Sequence, residues 1–201
     1  MLNLKKILSR SLLALALGAC GSAFAGPVYH VAIDTAGLGS GTAFLDLVLG
    51  AETGAAPVTA NLSHLEGAFG EYTDRSGDSS GNVSGGVTLV NDASYSDLFQ
   101  AILLGGLFTF DLSFDSGANP GGNPTGTTFS ASLYNGDLSD YLALPANLVE
   151  ISLMPGQADV VSPANAYARV STDAAAVPEP SALLLVAIGL IMAMATLRRR
   201  A

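Results

Sequence analysis

From Val28 onward the chain is written in short stretches of period two. The firmest is Leu107–Phe114, where Phe108, Phe110, Leu112 and Phe114 alternate with Thr109, Asp111 and Ser113. A strand buried on one face requires that order; a helix would scatter those four side chains around its axis. Ala43–Leu49 repeats it with Ala43, Leu45, Leu47 and Leu49, and Thr128–Tyr134 with Phe129, Ala131 and Leu133. Val28–Ile33, Val58–Leu65, Val87–Val90 and Leu148–Leu153 read as further strands, and Tyr167–Val170 as an edge strand. Tyr95–Leu104 fits either a short helix or a strand paired with Leu107–Phe114 through a Gly105-Gly106 turn, and the strand is preferred. Gly50–Pro57 reads as a loop and Glu71–Gly86 as a polar stretch. Short strands separated by turn-formers predict a mainly β domain over 26–172: an antiparallel β-sandwich, jelly-roll-like or immunoglobulin-like.

The periodicity stops at both ends. Residues 1–25 are built like a secretory signal peptide: Lys5, Lys6 and Arg10, then an apolar run opening with Leu12–Leu17, then Ala23-Phe24-Ala25 as a small-x-small cleavage site for signal peptidase. Leu17-Gly18-Ala19-Cys20 also resembles a lipobox, which would make Cys20 a lipidated first residue; cleavage after Ala25 is preferred because the folded pattern begins there. Residues 173–177 form a small-residue linker. Pro178-Glu179-Pro180 follows, then an uncharged run from Ser181 to Leu197 and the cluster Arg198, Arg199 and Arg200. As a helix, 181–197 spans roughly 25 Å, close to the hydrocarbon core of a bilayer. The arginines are expected to stay on the cytoplasmic side, leaving the β domain across the inner membrane.

Motif, single transmembrane helix and basic end together resemble the PEP-CTERM sorting signal of Gram-negative bacteria, here over 178–201. The resemblance implies an exosortase as partner. That enzyme is expected to recognise Pro178, Glu179 and Pro180, remove the helix, and leave the protein at the cell surface or outside it. It also implies a host that makes exopolysaccharide. It covers sorting and carries no biochemical activity.

Charge narrows the remaining field. Six of the eight basic residues lie in the two terminal segments, so between Gly26 and Val177 only Arg75 and Arg169 face sixteen acidic residues, a formal charge of −14 with neutral histidines. Such a segment repels nucleic acid. Cleavage after Ala25 would remove Cys20, the single cysteine, and with it any disulfide or thiolate site.

Catalytic sets are hard to assemble from what remains. Gly77-Asp78-Ser79-Ser80-Gly81 matches a nucleophile-elbow spacing but sits in a polar run, away from the strand-to-helix turn that chemistry needs. His30 and His64 have no second histidine at ligand spacing and read as surface or core histidines. Asp111 alternates with phenylalanines and belongs on a solvent face. Asp74–Asn82 is oxygen-rich but lacks the EF-hand spacing for Ca²⁺. No cofactor, catalytic residue or metal ligand is therefore assigned. The expected function is an exported surface or matrix protein without catalysis, with exopolysaccharide as candidate partner. The alternative is a carbohydrate-binding module or weak glycan-active enzyme. Tyr29, Tyr72, Tyr95, Tyr134, Tyr141 and Tyr167 discriminate: three or more lining one exposed groove favour sugar binding, and scattered or inward-pointing tyrosines count against it.

Overall fold

The computed structural model describes residues 26–91, 94–116, 126–154 and 156–173. The expected signal peptide and its cleavage site at Ala23 and Ala25 lie outside these residues. So do the sorting motif Pro178–Pro180, the helix over 181–197 and Arg198–Arg200. Among the described residues no helix is long and apolar enough to cross a membrane.

The strands run β1 Val28–Asp34, β2 Thr42–Ala51, β3 Val58–Glu66, β4 Phe69–Ser76, β5 Asp78–Asn82, β6 Gly86–Val90, β7 Tyr95–Leu103, β8 Leu107–Ser116, β9 Thr127–Tyr134, β10 Asn147–Leu153, β11 Val160–Val161 and β12 Ala168–Asp173. They form two six-stranded antiparallel sheets, ordered β12-β1-β8-β3-β6-β5 and β11-β10-β9-β2-β7-β4. The domain is an antiparallel β-sandwich. Most consecutive strands lie in opposite sheets, so the chain crosses the core repeatedly; β5–β6, β9–β10 and β10–β11 stay within one sheet.

The alternations sit where they were expected. Ala43, Leu45, Leu47 and Leu49 face inward from β2, Phe108, Phe110 and Leu112 from β8, and Phe129, Ala131 and Leu133 from β9. Phe114 is half-buried, packed edge-on to Tyr29 and Phe129 at 5.8 and 6.3 Å. Each large side chain taken fully out of water contributes about 1.5–3 kcal/mol. A slip of one residue would turn the whole set outward, so this pattern fixes the register.

Three expectations are corrected. The polar stretch from Glu71 is ladder-forming strand: β4 and β5 occupy edges of opposite sheets. An edge strand exposed on both faces carries no hydrophobic period, so its sequence looks like loop; its charges also discourage pairing with other chains. Gly77 joins the two at φ 66°, where a Cβ would collide with the Tyr95 carbonyl oxygen. Second, β7 is a strand but does not form a hairpin with β8. It pairs with β2 and β4 in the other sheet. The buried Thr35 hydroxyl accepts from the Gly105 and Gly106 amides at 3.0 and 3.1 Å and donates to the Gly106 carbonyl at 2.8 Å, holding a crossover there. Third, Gly50 and Ala51 belong to β2, so the loop begins later than expected, and Asp173, expected in the linker, is the last residue of β12; 174–177 lie outside the described residues.

Asn91 ties the connections at one end of the core. Its Oδ1 accepts from the Val58 amide at 2.9 Å, and its Nδ2 donates to the Ala56 carbonyl at 3.0 Å and to Thr127 Oγ1 at 2.8 Å. Asn91→Ala strands three polar groups in a buried place. The expected loss is about 2–4 kcal/mol, read as a lower denaturation midpoint with an unchanged slope.

Candidate functional site

The outward faces of the sheets hold two groupings. On β2, Phe44, Asp46 and Val48 point away from the core; on β7 Asp97 and Phe99 do so, and on β9 Ser130 and Tyr134. Phe44 lies opposite Tyr134, and Asp46 lies opposite Phe99 and Ser132. The alternation that drives the core thus sets five rings in contact across the second sheet. Tyr72 meets Phe44 edge-on at 5.7 Å, Phe44 stacks on Phe99 at 5.0 Å, Phe99 meets Tyr134 at 5.8 Å, and Tyr134 meets Tyr141 at 4.5 Å. Tyr72 and Tyr141 are 55% and 39% exposed, while the three between are half-buried. From β4 to β9 the row crosses three strand spacings, about 14 Å.

Both ends of the row are braced. The register of β4 against β7 slips between Phe69 and Thr73. The buried Gln100 amide fills that irregularity by donating to the Gly70 and Tyr72 carbonyls at 2.7 and 3.0 Å. At the far end the Tyr134 hydroxyl donates to Tyr141 at 2.9 Å, and the two residues form a β-bridge. This hydrogen bond, with burial, pushes the Tyr134 phenol up to about 12.

Asp46 lies under the row. Burial, then the neighbouring Asp97 charge, pushes its carboxyl up to about 6. Asp46 Oδ1 and Asp97 Oδ1 are both buried without a hydrogen-bond partner. A carboxylate in that position is an acceptor in want of a donor.

The second grouping lies on the outer face of the first sheet and went unseen in the sequence. His30 from β1 and His64 from β3 converge on Asp111 of β8. His30 Nδ1 lies 2.5 Å from Asp111 Oδ1, and His64 Nδ1 lies 2.8 Å from Asp111 Oδ2. His30 Nε2 reaches Asp173 on β12 at 3.0 Å. The β3–β8 register shifts between Ser63 and Glu66, and His64 takes φ 51° within that bulge. A bulge re-aims a side chain. Asp111 does sit on an outward face, as expected, but paired rather than free. Burial alone would raise its carboxyl; the hydrogen bonds from His30 and His64 outweigh that and hold it below the usual carboxylate range. Asp111 first, then Asp173, raises the His30 imidazole. An open depression of about 590 Å³ lies here, lined by His30, His64, Glu66, Asp111 and Arg169.

The other candidates fall differently. Ser79 of the elbow-like stretch sits within β5, with no helix following it among the described residues. Asp74–Asn82 is two strands and a glycine bend, not a calcium loop. Tyr29 points into the core, its hydroxyl donating to Asp159. Tyr95 and Tyr167 stand apart from the aromatic row, which therefore holds three of the six tyrosines. Comparison of the chain with protein families, curated proteins and solved structures finds no match.

Asp46 gives a pH test. Its folded pKa is raised, so folding favours the protonated acid. That contribution is complete below the ordinary carboxylate range and is lost as pH rises through about 6. Asp46→Asn should therefore stabilise the protein above pH 7 by about 1–2 kcal/mol, discounted for partial exposure, with no gain at pH 4. Chemical denaturation at the two pH values checks it.

Proposed function

We propose that this is an exported, non-enzymatic surface protein whose β-sandwich binds polysaccharide on the aromatic row, and which reaches the surface by exosortase sorting. The row of Tyr72, Phe44, Phe99, Tyr134 and Tyr141 carries the binding half of this reading. Ring faces and edges held by a rigid sheet offer sugars an apolar platform without an ordering cost, because most of the rings are already packed against each other. Ser130 and Glu150 lie on the same outward face and supply acceptors for hydroxyl donors. Acidic surroundings favour a neutral or cationic glycan over a uronic acid polymer.

Sorting rests on the sequence alone: a signal peptide ending at Ala25, Pro178-Glu179-Pro180, an apolar run and three arginines. Prolines around Glu179 are expected to favour an extended backbone there, the form a protease threads. An exopolysaccharide partner unites the two halves, since a sorted protein and a glycan-binding face would meet in the same extracellular layer. For the sandwich itself, β1-β8-β3-β6 opposite β2-β7-β4 supports the jelly-roll-like reading over the immunoglobulin-like one.

Two experiments decide these points. Tyr72→Ala with Tyr141→Ala should weaken retention on the host's exopolysaccharide by about tenfold or more, at about 1 kcal/mol or more per ring; retention equal to wild type removes the binding reading. No reducing ends should be released. Release that disappears in Asp46→Asn would replace it with a glycan-active enzyme. Intact-mass measurement of surface material should find a chain lacking 181–201. A mature protein that keeps that segment is permanently anchored, and the sorting half fails.

A further inference from the structure

We infer that His30, as an imidazolium, is a proton-dependent clamp that fixes the end of β12, the last described strand, across β1 to Asp111 of β8. The geometry of its ring carries this. Nδ1 lies 2.5 Å from Asp111 Oδ1, and Nε2 lies 3.0 Å from Asp173 Oδ2. An ionised carboxylate only accepts, so each ring nitrogen needs a hydrogen to make its contact, and a ring with hydrogens on both is the cation. In the neutral ring one nitrogen is a lone pair facing a carboxylate oxygen. Loss of the proton therefore turns one of the two contacts into a repulsion. His64 differs: its single carboxylate contact, Nδ1 to Asp111 Oδ2 at 2.8 Å, is satisfied by a neutral ring.

The strand held in this way has little else to hold it. β12 is an edge strand, paired with β1. Ala168 is buried and Val170 packs partly against the core, while 171–173 are exposed. Asn165 pins its start: Oδ1 accepts from the Tyr167 and Ala168 amides at 2.9 and 2.8 Å, and Nδ2 donates to the Leu148 carbonyl at 2.7 Å. At the other end His30 stands opposite Ser171 and reaches Asp173 on the diagonal, adding a side-chain tie to the ladder. The Asp173 side chain is 81% exposed. An exposed ion pair contributes little to global stability, but the end of an edge strand opens locally at small cost, and there the tie is felt.

The charges around the ring come from three strands. β12 brings Asp173 and Arg169, β8 brings Asp111, and β3 brings His64 and Glu66. Asp111 first, then Asp173, outweigh the positive charge of Arg169 and raise the His30 imidazole. Folding thus favours the protonated ring. That contribution is complete below the ordinary histidine range and is lost as pH rises through the raised value. At the acid end Asp111, held low, loses its own contribution as pH falls through its lowered value. The clamp is closed between these limits and opens on the alkaline side.

The test is nuclear magnetic resonance on the full chain labelled with ¹⁵N. At neutral pH one histidine, identified by its disappearance in His30→Gln, should show both ring nitrogens protonated, and Asp111→Asn and Asp173→Asn should each lower its titration midpoint. Hydrogen-exchange protection of the amides in 170–173, corrected for the intrinsic rate, should fall about two- to fivefold as pH rises through that midpoint, the scale of an exposed ion pair. In His30→Gln it should stay at the lower value throughout. Three results overturn the clamp: a His30 ring with one proton at neutral pH, protection of 170–173 that does not change with pH, or the same pH dependence in His30→Gln as in wild type.

Discussion

The burial of two facing sets of alternating apolar side chains is the constraint on which the rest depends. Leu45, Leu47 and Leu49 of β2 cannot point inward without sending Phe44, Asp46 and Val48 outward. The same holds on β8, where burying Phe108, Phe110 and Leu112 puts Thr109 and Asp111 on the opposite face. The core thereby positions both exposed groupings. A slip of one residue in either strand would cost several buried side chains at about 1.5–3 kcal/mol each, and it would bury the outward groups. The aromatic row and the histidine cluster are held by the most strongly specified part of the fold.

Where alternation ends, buried polar groups take over. Thr35 captures the amides of Gly105 and Gly106, so the chain crosses from one sheet to the other rather than turning back. Asn91 joins the loop before β3 to the first residue of β9. Gln100 occupies an inward position of β7 yet donates to two carbonyls of β4, stabilising the irregularity that presents Tyr72. Each acts at a place where a ladder is interrupted, and each leaves unsatisfied backbone groups if removed.

These mechanisms explain what the sequence disclosed. Strands with one buried face, such as β2, β8 and β9, were legible because burial imposes a period on composition. β4 and β5 were not, because an edge strand is specified by backbone hydrogen bonds to its neighbour, and those leave no side-chain signature. The crossover at Gly105-Gly106 was missed because its determinant, Thr35, lies seventy residues away in the chain. The aromatic row was half legible. Phe44, Phe99 and Tyr134 occupy outward positions once the period is known, but their contact depends on β2 lying between β7 and β9. The histidines were read as isolated because ligand spacing is a local test. His30 and His64 meet only through the order β1-β8-β3, with Asp111 on the middle strand.

The two faces differ in what they ask of a partner. On the second sheet Asp46 Oδ1 and Asp97 Oδ1 are buried without a partner, so the two carboxyls destabilise each other's charged form, while the rings of the row remain partly open to solvent. On the first sheet the acceptors already face imidazoles, and the two carboxylates beside His30 favour its protonated form. Low dielectric surroundings would strengthen either contact, yet both groupings lie on exposed faces, where water competes. Affinity must then come from several contacts fixed in advance by a rigid sheet, not from any single strong one. A β-sandwich with alternating strands meets that requirement directly: on β2 and β8 the residues that make its core rigid are interleaved, one for one, with those that face outward.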